Sequence, residues 1–219
     1  MVALGRLAGN IAHELNNPLT GIRAMSQALQ RTSGIDSSLT DDLKEVEVAA
    51  ERSQNIIGNL LSYTREDIED VQILDLHEVI QRTLPLLKTA LYNFSINEKL
   101  CSTPIFIRGN MSLIQQVIFN IIINSCHAMG NSGQLTIETE KHGDLSFLKI
   151  SDTGPGIPAT YIERIWEPFY TTKPSGKGTG LGLSVVKKIV EKFSGQISVE
   201  SKEGVGTTMC LAFPYCGPL

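Results

Sequence analysis

The sequence predicts an α + α/β protein: a helical hairpin that pairs with a second copy into a dimeric four-helix bundle, followed by a two-layer α/β sandwich. Three observations predict it. Apolar residues recur every three or four positions through the first 64 residues, interrupted once by a short polar turn. A charged, mainly acidic stretch, Arg65-Glu66-Asp67-Ile68-Glu69-Asp70, then sets that half apart from the rest. Beyond it strand patterns interleave with helical ones, and two strands close the chain, the order of a mixed sheet with helices on one face. The division implied is residues 1–70 and 71–219.

The first helix carries Leu4, Leu7, Ile11, Leu15, Leu19, Ile22, Met25 and Leu29 as one apolar stripe. His13 lies roughly 200° around the helix from Ile11, away from that stripe. Pro18 removes one backbone donor and crowds the carbonyl of Glu14, so a bend is expected just past His13. Asn17, one turn on, shares the face of His13. A turn follows at Thr32 to Ser38. The second helix carries Leu39, Leu43, Val46, Ala50, Ser53, Ile57, Leu60 and Thr64 in alternating steps of four and three, a heptad seam. Two such helices cannot bury both stripes by themselves, so a homodimer is expected.

In the second half, Asp75 with Glu78 reads as a helix cap and its partner, opening a helix from Leu76 to Leu87. Strands are expected at Phe94 to Leu100 and Ile105 to Arg108, then a helix from Met111 to Met129 capped by Asn110. Strands follow at Gln134 to Glu140 and Leu145 to Asp152, then a short helix from Ala159 to Ile165. A loop rich in Gly and Thr leads into a helix from Leu181 to Phe193, ended by Gly195. Strands at Gln196 to Ser201 and Thr207 to Phe213 close the chain.

Composition narrows the function classes. A hydrophobic fraction of 42% and a charged fraction of 19% describe an ordinary globular chain. The net charge of −4, without a Lys/Arg run, argues against a nucleic-acid partner. Cys101, Cys126, Cys210 and Cys216 have no metal-ligand or Cys-x-x-Cys spacing, which reads as reduced thiols in a cytoplasmic protein. No run approaches a membrane span, so any membrane connection would come through segments upstream. The first helix starts in full register at Met1 without a cap, as expected of a piece of something longer.

Several stretches carry candidate chemistry. His-Glu-x-x-His would bind zinc, but Asn17 stands in place of the second histidine. On the helix from Met111, the polar residues Gln116, Asn120, Asn124 and His127 share one face. Exposure alone could explain that stripe, yet asparagine oxygens also suit Mg²⁺. Asp152 ends a strand on the face of Leu148 and Ile150, where a buried carboxylate must meet a donor such as an adenine amino group. Asp152-Thr153-Gly154-Pro155-Gly156 turns tightly with glycines where a ring would approach. The loop Tyr170 to Gly180 feeds a helix N-terminus at Leu181-Gly182, the form of a phosphate cradle, with Lys173 and Lys177 as added charge. Neither Gly-x-Gly-x-x-Gly nor a P-loop fits there: Leu181 replaces the last glycine of the one, and Gly176-Lys177 lacks the flanking residues of the other.

His13-Glu14-Leu15-Asn16-Asn17-Pro18-Leu19 resembles the phosphoacceptor box of the sensor histidine kinases of two-component signalling. Asn120-x-x-x-Asn124, Asp152-x-Gly154-x-Gly156, Trp166-Glu167-Pro168-Phe169 and Gly178-Thr179-Gly180-Leu181-Gly182-Leu183 resemble, in order, that family's remaining boxes. Thr171-Thr172-Lys173 resembles the nitrogen-regulation subtype. The resemblance implies an ATP-binding sandwich under a mobile lid from Tyr170 to Gly180. It also implies Mg²⁺ on Asn124 with Asn120, and adenine on Asp152. His127 and Lys173 would face the phosphates, with Gly178, Thr179, Gly180, Leu181 and Gly182 at the cradle. It further implies autophosphorylation of His13 with Glu14 as candidate base, transfer to an aspartate of a response regulator receiver domain, and dephosphorylation aided by Asn17. The sensor would lie upstream. Two alternatives stand beside this reading. A conformational-clamp ATPase of the same fold would need a glutamate where Asn120 stands, and a nucleotide-binding pseudokinase scaffold would bind ATP without transfer.

Overall fold

The computed structural model describes residues 2–30, 36–64, 70–173 and 179–217; within the first two helices it describes the side chains of Leu15, 17–30, 38–50 and Ser53. The chain divides into two compact units, Met1–Asp67 and Ile68–Leu219.

The first unit is a hairpin of α1 (Val2–Gln30) and α2 (Ser37–Thr64). Pro18 lies inside α1. Between the helices runs a polar layer: the Ser26 hydroxyl donates to the Leu43 carbonyl, and the Gln27 and Gln30 amides donate to Glu47. Ser26 and Ala50 are the buried side chains among those described in the hairpin. Leu15, Ile22 and Leu29, spaced by sevens on α1, stay exposed, as do Leu39 and Val46 on α2. The hairpin therefore leaves much of its apolar surface in water.

The second unit opens with β1 (Gln72–Asp75), four residues too short to show a strand period in the sequence. It pairs antiparallel with β3 (Phe106–Gly109), Leu74 opposite Ile107. Asp75 caps α3 (Leu76–Thr83), its carboxylate accepting from the His77 N–H at 3.0 Å. Glu78 does not complete the expected cap; it pairs with Arg82 at 2.6 Å. The regular helix also ends before Leu87. Pro85 lacks the N–H that would bond back to Gln81, and Leu84–Leu87 tighten into a 3₁₀ turn.

After β2 (Phe94–Lys99) and β3, Asn110 caps α4 (Met111–Met129) by accepting from the Leu113 N–H at 3.1 Å. Next come β4 (Gly133–His142) and β5 (Leu145–Asp152), joined by a hairpin. The helix expected from Ala159 to Ile165 is instead two 3₁₀ turns, Ala159–Tyr161 and Arg164–Trp166. Then follow α5 (Gly182–Lys192), β6 (Gln196–Lys202) and β7 (Gly206–Pro214).

The five-stranded sheet has the order β2-β4-β5-β7-β6. Only the β2–β4 pair is parallel. Its inner face alternates strictly, burying Leu135 and Ile137 of β4, Leu148 and Ile150 of β5, and Met209, Leu211 and Phe213 of β7. Against these pack Ile114, Val117, Ile118, Ile121 and Ile122 of α4 and Val185, Val186, Ile189 and Val190 of α5. Burying one such side chain contributes about 1.5–3 kcal/mol, so this layer supplies the unit with a core of its own. The outer face carries Glu138, Glu140 and Lys149, with ion pairs of 2.9 Å from Lys99 to Glu138 and from Lys149 to Glu140. No helix among the described residues is both long and apolar enough to cross a membrane.

Candidate functional site

The rim of the second unit gathers the C-terminal end of β5, one face of α4 and the start of α5. Asp152 stands at the last position of β5, opposite Leu135 and Thr207 in the sheet. One of its carboxylate oxygens accepts from the Ser125 hydroxyl at 2.8 Å, the other from the Gly154 N–H at 2.9 Å. Each oxygen keeps a further lone pair for an outside donor. The sequence pattern did not single out Ser125; a serine inside an apolar run of the helix, one position after Asn124, was the available signal.

The turn after Asp152 is held by the β6–β7 hairpin. Gly204 donates to the Pro155 carbonyl at 2.7 Å, and Ile157 donates to the Ser201 hydroxyl at 2.8 Å. Gly156 has φ +75°, and a Cβ there would come within 2.3 Å of the Lys202 carbonyl oxygen. A side chain is therefore excluded by both conformation and space. At Gly154 a Cβ would meet Asp152 Oδ1 at 2.9 Å, crowding the one carboxylate that faces the turn.

On α4, Asn120 and Asn124 are half-buried and His127 is exposed. Asn120 Nδ2 is buried without a hydrogen-bond partner. Asn124 is flanked on both sides. A Cβ on Gly182, the first residue of α5, would lie 3.4 Å from Asn124 Nδ2. From the other side Lys173 Nζ reaches Asn124 Oδ1 at 3.4 Å and His127 Nδ1 at 3.1 Å. Burial holds the Lys173 ammonium below its usual pKa. Partial desolvation of the ring, and then the charge of Lys173, does the same to the His127 imidazole. A neutral ring accepting through Nδ1 carries its own proton on Nε2.

No side chain caps the start of α5. Thr179 Oγ1 accepts from the Leu181 N–H at 3.2 Å, and the Ser184 hydroxyl turns back onto the Leu181 carbonyl. An uncapped helix start beside a lysine suits an anionic group. The segment leading there is clasped at its ends: Phe169 donates its N–H to the Gly180 carbonyl at 2.9 Å. Phe169 has φ +68°, unusual for a bulky residue, and a Cβ on Gly180 would lie 2.3 Å from its carbonyl carbon. Next to the clasp the Arg164 guanidinium lies 4.3 Å from the centre of the Tyr170 ring. Of the expected cradle, Gly178 lies outside the described residues with 174–177; Thr179, Gly180, Leu181 and Gly182 are at the α5 start.

These residues fit a magnesium nucleotide. Asn120 and Asn124 offer amide oxygens, the hard donors Mg²⁺ prefers. The uncapped α5 leaves backbone donors for phosphate oxygens, and the buried Asn120 Nδ2 has no protein partner. In the first unit, His13 and Glu14 belong to α1, but their side chains lie outside those described; Asn17 is exposed.

Comparison with known proteins accounts for both units. Residues 3–69 match the His Kinase A (phospho-acceptor) domain. Residues 109–216 match the histidine kinase-, DNA gyrase B-, and HSP90-like ATPase family. The sensor kinase CckA of Brucella abortus (strain 2308) is 33% identical over 98% of this chain and 24% of its own length. The sensor histidine kinase ZraS of Klebsiella oxytoca is 31% identical over 99% of this chain and 47% of its own length. The chain thus spans less than half of either relative. The solved structure of the histidine kinase ThkA in complex with response regulator protein TrrA shares the fold, with a TM-score of 0.70 at 24% identity over 97% of this chain and 62% of that one. With a phospho-acceptor domain followed in the same chain by a kinase-type ATPase domain, and sensor kinases aligned along nearly all of it, the chain belongs to the sensor histidine kinases of two-component signalling.

Proposed function

We propose that this chain is the catalytic core of such a kinase, residues 1–70 serving dimerisation and phosphotransfer and residues 71–219 binding ATP. In this reading the γ-phosphoryl of ATP passes to a ring nitrogen of His13 and then to an aspartate of a response regulator receiver domain. The observation that carries it is Asn124, set between the uncapped start of α5 and the Lys173 ammonium. Asp152 accepts the adenine amino group and is oriented for it by Ser125 and Gly154. Lys173, His127 and the start of α5 position the phosphates. Mg²⁺, when bound, would sit on the oxygens of Asn124 and Asn120 and neutralise phosphate charge. In the transfer, the bond from the γ-phosphorus to the β-bridging oxygen breaks and a phosphorus–nitrogen bond forms on His13, with Glu14 as candidate acceptor of the imidazole proton. ADP leaves.

The exposed seven-residue repeat of Leu15, Ile22 and Leu29 with Leu39 and Val46 supports a homodimer through the hairpin. The exposed Asn17, one turn from His13, suits a water-positioning role in dephosphorylating the regulator. Asn120 weighs against a dedicated ATPase: an amide cannot take a proton from water, and loss of a general base typically costs about 10² to 10⁴ in rate.

Incubation with γ-labelled ATP and Mg²⁺ tests the reading. The label is expected to be stable in alkali, labile in acid and absent from His13→Gln. Label persisting in that variant would remove His13 as the acceptor. His13→Ala is expected to bind ATP and release almost no phosphate; release at the rate of a dedicated ATPase would favour the clamp reading.

A further inference from the structure

The contact between Lys173 and Asn124 goes beyond a phosphate-binding role. An ammonium group has donors only, and both of its partners here present lone pairs, Asn124 Oδ1 at 3.4 Å and His127 Nδ1 at 3.1 Å. Asn124 Oδ1 is also the oxygen assigned above to Mg²⁺. A magnesium ion sits about 2.0–2.1 Å from its ligands, and an ammonium left on the same oxygen would place two cations against each other. The four-carbon stem of lysine is flexible enough to withdraw. We propose that Lys173 and Mg²⁺ are alternative occupants of the Asn124 oxygen, the ammonium standing in for the metal until the metal arrives. The proposal rests on the nucleotide-site reading and adds to it a rule for how the site treats metal-free nucleotide.

Without metal, Lys173 stays on Asn124 and supplies the positive charge that the diphosphate needs. When Mg²⁺ enters with the nucleotide, it takes the oxygen and the ammonium moves off. His127 Nδ1 is then the second anchor that keeps the ammonium at this spot in the metal-free state. The rival arrangement, a lysine touching phosphate equally in every state, makes a different prediction. There, losing Lys173 weakens metal-free and metal-bound nucleotide alike.

Calorimetric titration with ADP separates the two, in EDTA and in excess Mg²⁺, on the wild type, Lys173→Met and Lys173→Arg. The expected pattern is a loss of about tenfold or more in metal-free affinity for Lys173→Met, the scale of one charge-assisted hydrogen bond. With Mg²⁺ the loss should be at least about threefold smaller, because the metal then neutralises the phosphates. Lys173→Arg, which keeps the charge, should retain most metal-free binding. Equal losses under both conditions, or no loss in EDTA, would overturn the proposal. A melting curve for each variant reports whether the unit has folded. A wild type that binds ADP under neither condition would instead sink the nucleotide-site reading itself.

Discussion

Asp152 holds two protein donors, Ser125 and Gly154, and it shows how little of a binding side chain is free to vary. An amide in its place could accept through one atom only and would set an N–H against one of these donors. Asp152→Asn should therefore lose at least about tenfold in affinity for adenine nucleotides, the worth of one hydrogen bond to a charged group. Fluorescence titration with ATP measures it, and unchanged affinity would place the adenine elsewhere. On the outer face of the sheet, Glu140 is held below the usual carboxylate range, first by its hydrogen bond from Lys149 and then by that from His142. The native carboxyl is thus the stronger acid. Its contribution to stability is complete above the unfolded pKa of about 4.3 and is lost as pH falls through the native value. Glu140 is 40% exposed, so the effect is small. Glu140→Gln should melt slightly below wild type at pH 7, and the difference should close in acid; a gap that widens in acid would contradict the assignment.

The clasp between Phe169 and Gly180 governs the approach to α5. Gly180→Ala meets both a left-handed backbone, φ +66°, and a carbonyl carbon 2.3 Å from the new Cβ. It should cost more than about 1 kcal/mol, read by urea denaturation, and weaken nucleotide binding by loosening the α5 start. A neutral outcome would mean that the clasp is not held in solution. At this scale the sequence was legible where an element has a period or a cap. Asn110 and Asp75 announced α4 and α3, and alternation announced β4, β5 and β7. It was silent where neighbours distant in the chain decide. Four residues gain strand status in β1 by pairing with β3. The left-handed backbone of Phe169 answers to Gly180, which no local rule connects to it. The asparagines, Asp152 and the glycines were visible because their chemistry is unusual in such places. The contacts of Ser125 with Asp152 and of Lys173 with Asn124 were not, because each joins separate elements.

The two units differ in what they need from outside. The second has a closed core, so residues 68–219 alone should fold and bind Mg²⁺·ADP as a monomer; a fragment without a cooperative melt would show dependence on the hairpin. The first leaves Leu15, Ile22, Leu29, Leu39 and Val46 exposed. Light scattering of the whole chain at micromolar concentration should therefore give a dimer mass, and removal of residues 1–67 should abolish it. The short strand β3 has a consequence for assembly of another kind. Ile107 pairs with Leu74 near the entrance to the second unit and bridges to Tyr215 near its exit. Two strand spacings of about 4.8 Å put those ends roughly 10 Å apart. A body whose ends meet can be spliced into a longer polypeptide, or lifted out of one, without threading the chain. It can also be re-ordered: a circular permutant joining Cys216 to Gln72 by a short linker, and opened in the exposed stretch between Ser102 and Thr103, should still melt cooperatively and bind ADP.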